Sequence, residues 1–156
     1  MLAFGITQRR VGGAVLVLLQ FGLLLWLALM ATPTLMQGGM TLPGWLLVGL
    51  SGGLGGWTLW HNRLGNFNVH PEPKARGQLV TTGPYRLIRH PMYTAVLLLA
   101  AALALVAGNV LAWLAWVLLF GVLLTKARLE EDWLCEYHPL YAGYRQRSKR
   151  FVPWLF

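Results

Sequence analysis

The chain has 156 residues, enough for one domain, yet 56% are hydrophobic and only 12% charged, a balance that excludes an ordinary water-soluble fold. A mean hydropathy of +0.54 and 8 tryptophans point instead to an integral membrane protein, because indole rings favour the boundary between hydrocarbon and headgroups. The net charge of +8 sits beside apolar runs, so the expected partner is anionic membrane lipid rather than nucleic acid, for which no reader motif is present.

Arg9 and Arg10 precede an uncharged run from Val11 to Ala31. About twenty apolar residues cover the roughly 30 Å hydrocarbon core, and the run is too long for a signal peptide, so it is read as a retained first span, residues 11–31. Pro33, Gly38 and Gly39 then mark a turn, and residues 43–61 form a second span. Gly49, Gly52, Gly53, Gly55 and Gly56 give this span two overlapping GxxxG spacings, which suit close approach of a neighbouring helix or of a second copy of the chain.

Residues 62–91 read as a polar loop, since Pro71 and Pro73 bar a regular helix, with a short extended piece at residues 78–82 before Gly83-Pro84 turns the chain. From Met92 to Thr125 no residue is charged; as one helix this would be about 50 Å long, so it must fold back. Gly108-Asn109 supplies the turn and leaves two short arms, residues 92–107 and 110–125. Residues 126–156 change character. Leu129, Trp133, Leu134 and Tyr137 are spaced along one face of an amphipathic interfacial helix, Pro139 interrupts it, a further turn carries Tyr141, Tyr144 and Arg145, and the terminal FVPWLF suits an interfacial anchor.

The expected fold is therefore all-α and integral to the membrane: four hydrophobic segments, the last two a short helical hairpin, plus C-terminal amphipathic helices. Lysines and arginines fall before span one, between spans two and three, and after span four, whereas residues 32–41 and Gly108-Asn109 carry none. The positive-inside rule then places both termini in the cytoplasm.

The GPYRLIRHPMY stretch opens the third segment. Pro91 suits the first turn of a helix, which puts His90 at the N-cap, where free backbone N–H groups reinforced by Arg89 and His90 would attract an anion. Snorkelling arginines and interfacial tyrosines account for the same residues without any ligand. Glu130 and Glu131 stand out because acidic residues are scarce; adjacent on a helix, they point about 100° apart and suit different partners, such as ribose hydroxyls, an amino group or an arginine. Cys135 is the only cysteine and reads as a small apolar filler. His61, His70, His90 and His138 lack ligand spacing and no HExxH, GxSxG or GxGxxG occurs, so no metal is expected.

Together, LVTTGPYRLIRHPMY (Leu79–Tyr93) and EEDWLCEYHPLYAGYRQRSKRFVP (Glu130–Pro153) resemble the isoprenylcysteine carboxyl methyltransferase family and its phospholipid methyltransferase relatives. The shared pattern is a Gly-x-Tyr turn, an Arg-His-Pro-x-Tyr helix start, a hairpin, a Glu-Glu helix, paired tyrosines and an Arg-x-x-Pro ending. It departs at YHPLY, where His138-Pro139 stands in place of a family glycine. The resemblance covers the C-terminal half; spans one and two match by hydropathy alone.

The resemblance implies a membrane methyltransferase that uses S-adenosylmethionine and releases S-adenosylhomocysteine; the expected location is a bacterial inner membrane. Tyr85, Arg89, His90, Pro91, Tyr93, Glu130, Glu131, Tyr141 and Tyr144 would line the cofactor pocket. The acceptor would be a lipophilic carboxylate arriving from the bilayer and held by Arg145 or Arg150, with Glu131 also among the catalytic candidates. A phospholipid amine would instead need a base, for which His90 or a glutamate could serve. A sterol-reductase-like NADPH enzyme and a non-enzymatic membrane scaffold are the further alternatives.

Overall fold

A computed structural model of the chain describes residues 2–62 and 79–155. Arg63, His70, Pro71, Pro73, Lys74 and Arg76 of the expected loop lie outside the described residues. Within them the protein is all-helical: α1 (Leu2–Met36), α2 (Leu42–Asn62), a 3-10 turn at Gly83–Arg86, α3 (Pro91–Ala107), α4 (Val110–Tyr137) and α5 (Tyr141–Arg147). No strand forms at residues 79–82; the extended pairing among the described residues is instead a parallel bridge between Ile88 and Lys149.

Helix α3 is the centre of the bundle and packs against α1, α2 and α4. Its alanines explain how. Ala100, Ala102 and Ala104 are fully buried although they do not share one face, so three neighbours approach the helix closely from different sides. A core of Leu27 from α1, Leu97, Ala100 and Ala104 from α3, and Ala112, Ala115, Leu119 and Leu123 from α4 fills the contact. On the other side, Ser51 donates to the Ala95 carbonyl at 2.7 Å and Gly55 lies one turn further along the same face of α2. Among the described residues the expected GxxxG contact is not made. At Gly49, Gly52, Gly53 and Gly56 an added Cβ would meet nothing within 4 Å, because Ser51 and Gly55 define the face turned to α3.

Gly108 ends α3 with φ 63°, its N–H donating to the Ala104 carbonyl at 3.1 Å, and Asn109 caps α4 by accepting from the Ala112 N–H at 2.9 Å. In place of a boundary near Thr125, α4 runs unbroken to Tyr137, joining the apolar arm to the acidic segment. Lys126 to Tyr137 contains neither glycine nor proline, and Lys, Ala, Arg, Leu and Glu are strong helix formers, so nothing stops the helix before His138-Pro139.

The outer surface is apolar. Leu18, Leu29, Leu46, Leu50, Val117 and Leu118 are all more than half exposed, which a water-soluble chain would not tolerate over so wide an area. Val11–Met36 and Val110–Tyr137 are long and apolar enough to cross a membrane, and α3 is a shorter apolar helix. These surfaces mark a membrane protein.

Gly83 begins the turn that aims the chain at α3. Its φ of 59° favours glycine, and a Cβ there would stand 2.3 Å from Cδ2 of His61 at the end of α2. Gly83→Ala is expected to cost about 1–3 kcal/mol, since the left-handed backbone is strained and the imidazole must move. Thermal unfolding in detergent checks this, with Gly121→Ala, a helical position open to a methyl group, as the control that should not be destabilised.

Candidate functional site

The site is built where the start of α3 meets the end of α4 and the segment after α5. Backbone hydrogen bonds zip Leu87–His90 alongside Lys149 and Arg150: the Arg89 N–H donates to the Lys149 carbonyl at 2.7 Å, the Lys149 N–H to Leu87 at 3.1 Å, and the His90 N–H to Arg150 at 3.1 Å. This pairing brings Arg89 and Arg150 to one place although 61 positions separate them. His90 is the N-cap of α3, and its own N–H is taken by the Arg150 carbonyl.

Glu131 is the hub and has no exposed surface. Its Oε1 accepts from Arg89 Nε at 2.9 Å, Arg150 Nε at 3.0 Å and His90 Nε2 at 3.1 Å; its Oε2 accepts from Arg150 Nη2 at 2.9 Å and faces Arg145 Nε at 3.4 Å. Arg150 thus grips the carboxylate with two parallel bonds. Arg89 extends the cluster by donating to the Arg145 carbonyl at 3.1 Å and to the Ser148 carbonyl.

Glu130, on the next face of α4, forms a second layer. It accepts from the Tyr93 hydroxyl and lies 3.5 Å from His90 Nδ1, with its side chain partly open to the surroundings. His90 therefore bridges the two glutamates, one on each ring nitrogen, and stacks on Tyr93 with centroids 5.4 Å apart. Tyr85 stands near enough to feel the Glu130 charge and hydrogen-bonds the Asn62 side chain. Tyr141 and Tyr144 are buried behind this surface, Tyr144 donating to the Tyr85 carbonyl at 2.6 Å. Pro91 is buried as the first residue of α3.

Burial alone would raise the Glu131 pKa, but hydrogen bonds from His90, Arg150 and Arg89 hold it well below the carboxylate range. Burial pushes His90 down, and its hydrogen bonds to Glu130 and Glu131 together with their charges outweigh this and leave it above 6.5. The signs follow from linkage. A raised histidine contributes stability that is complete below 6.5 and is lost as pH rises through the folded value; a depressed glutamate contributes stability complete above 4.5 and lost only in strong acid. Melting temperature is thus expected to be flat from about pH 4.5 to 6.5 and to decline on the alkaline side, and His90→Gln should flatten that alkaline decline. Thermal unfolding across a pH series reads both.

The two sequence blocks supply Arg89, His90, Tyr93, Glu130, Glu131, Arg145 and Arg150, and the fold gathers all seven. Sequence reasoning missed Lys126 and Gln20, which are buried beside them and hydrogen-bonded to each other at 2.8 Å. The available signals were slight: Lys126 is one helical turn before Glu130, and Gln20 interrupts an otherwise apolar run.

A lipid-facing helical bundle carrying a buried cluster of arginines, histidine and glutamates at one end defines a membrane protein with an enzyme-like polar centre. The phospholipid methyltransferase family matches residues 40–139, most of the chain. The chain belongs to that family, the one that includes the isoprenylcysteine carboxyl methyltransferase relatives, and its class is membrane methyltransferase. Among curated proteins none matches it.

Proposed function

We propose that the protein transfers a methyl group from S-adenosylmethionine to a lipophilic carboxylate presented from the bilayer, in the manner of the isoprenylcysteine carboxyl methyltransferases. The reading keeps residues 11–31, 43–61, 92–107 and 110–125 as the four membrane segments, with the ion cluster and both termini at the cytoplasmic face.

One observation carries the choice of acceptor: His90 engages a carboxylate with each ring nitrogen. A neutral imidazole has a single N–H, whereas the imidazolium has two, so this geometry favours the protonated ring. Glu131 is saturated by cations and does not take up a proton near neutral pH. Burial raises the Tyr85 and Tyr141 phenols above their ordinary value and pushes Tyr144 up to about 12. Glu130, the carboxylate of the cluster that keeps acceptor capacity, is taken up by the donor in this reading, so a protonated amine would find no further base in the cluster. A carboxylate arrives ionised and needs only to be positioned and partly desolvated.

The residues fit the donor. S-adenosylmethionine supplies, when bound, an activated methyl group on a positively charged sulfur. Glu130 keeps acceptor capacity on a partly open side chain, which suits an ammonium or a ribose diol, and Tyr85 offers an aromatic surface next to it. Arg145 holds the acceptor. Its side chain is 42% exposed at the rim of the cluster, where the guanidinium can grip one carboxylate oxygen and leave the other to attack. Arg150, committed to Glu131 by two bonds, is the scaffold of that clamp.

The test has two arms. Calorimetric titration of S-adenosylhomocysteine into detergent-purified protein should show binding that Glu130→Ala abolishes. Incubation with labelled donor and vesicles containing a long-chain carboxylic acid should yield a methyl ester that mild base releases as methanol. Absence of binding to well-folded protein would sink the donor assignment, and a base-stable product on phosphatidylethanolamine would move the acceptor to the amine class.

A further inference from the structure

Below the glutamates the bundle holds a second polar group of unexpected depth. Lys126 is 2% exposed and Gln20, from α1, is 8% exposed. Lys126 Nζ donates to Gln20 Oε1 at 2.8 Å and stands 5.1 Å from the centroid of the Tyr93 ring. Tyr93 in turn stacks on His90 and donates its hydroxyl to Glu130. Gln20, Lys126, Tyr93 and Glu130 thus form a continuous chain of contacts from the middle of α1 to the partly open carboxylate.

A buried ammonium is expensive, and its contacts here are an amide and a ring face; among the described residues no carboxylate pairs with Lys126 within 4.0 Å, and the Glu130 charge acts on it from further away. Leucine or methionine would fill the same space between helices at lower cost. Helix α1 also lies outside the family match, so Gln20 is a contact through which this segment reaches the site. We propose that Lys126, held in place by Gln20, is a positioning residue: its cation–π contact fixes the Tyr93 ring, whose hydroxyl aims Glu130 at the methyl donor. The inference rests on the donor site proposed above. Without Lys126 the Tyr93 ring loses a restraint, and Glu130 is free to close on His90 Nδ1, now 3.5 Å away, instead of receiving a ligand.

Affinity for S-adenosylhomocysteine, measured by calorimetry on variants whose thermal unfolding shows them folded, provides a readout separate from turnover. Lys126→Met and Tyr93→Phe should each weaken binding about tenfold, and the double variant should also lose about tenfold rather than a hundredfold, because both act through one contact. Lys126→Arg should retain most of the affinity, since a guanidinium can also lie over the ring. Gln20→Leu, which leaves every charge in place, should weaken binding roughly threefold, and it decides alone if Lys126→Met does not fold. Wild-type affinity in both Lys126→Met and Gln20→Leu overturns the proposal, as do losses that multiply in the double variant. Wild-type protein that binds no S-adenosylhomocysteine sinks the donor site itself and the proposal with it; binding by the wild type with indifferent variants sinks the positioning role alone.

Discussion

Glu131→Gln is expected to lower the melting temperature in detergent by about 10 °C, from a stability loss of about 3–5 kcal/mol, and to abolish S-adenosylhomocysteine binding. The size follows from what surrounds the carboxylate. Arg89 and Arg150 have side chains only 8% and 14% exposed, and both donate to Glu131 along with His90. Glutamine removes the compensating charge from these groups and turns an amide N–H₂ toward donors that need an acceptor, so the cost is that of buried cations left unpaired rather than of one hydrogen bond. The damage would spread along the backbone zipper, since Arg89 and Arg150 flank the hydrogen bonds that join Leu87–His90 to Lys149 and Arg150. Asp132→Asn is the control: Asp132 is adjacent in sequence but exposed, and its neutralisation should move the melting temperature by no more than a degree or two. A Glu131→Gln protein that melts with the wild type would show that Glu131 does not organise the cluster.

Local chemistry made part of this structure legible before any coordinates. Pro91 with His90 before it announces the start of α3, and Gly108-Asn109 announces its end, because proline at a first turn, a left-handed glycine and a capping asparagine act within a few residues. The two motif blocks named the polar residues, but spacing could not say who meets whom. Glu130 and Glu131 were expected to serve separate partners because they point apart on a helix; His90 reaches both because it approaches from another helix with a nitrogen on each side of its ring. The Lys126–Gln20 bond spans 106 positions between two helices and leaves no periodic trace in either. The continuity of α4 was hidden for a different reason. A change from apolar to charged residues at Thr125 looks like a boundary between elements, yet helix propensity is continuous there, and it is the surroundings of the helix that change.

Arg145 and Arg150, interchangeable in the sequence, should separate sharply on substitution. Arg150→Ala removes the bidentate partner of a fully buried carboxylate and is expected to cost about 3 kcal/mol of stability, with donor binding lost as the cluster rearranges. Arg145→Ala should leave stability within about 1 kcal/mol of the wild type, because its side chain is 42% exposed and its contact with Glu131 is a single approach at 3.4 Å. Its effect should fall on the acceptor instead. With the proposed carboxylate acceptor, loss of a charged hydrogen bond to it predicts a drop of about 10- to 100-fold in kcat/KM for the acceptor, with affinity for S-adenosylhomocysteine within about twofold of the wild type. Arg145→Lys keeps the charge but not the planar fork, so it should recover part of the loss and leave the rest as the share due to geometry. If Arg145→Ala methylates as fast as the wild type while Arg150→Ala is unfolded, no arginine at the rim holds the acceptor, and the carboxylate must be bound from the bilayer side of the cluster.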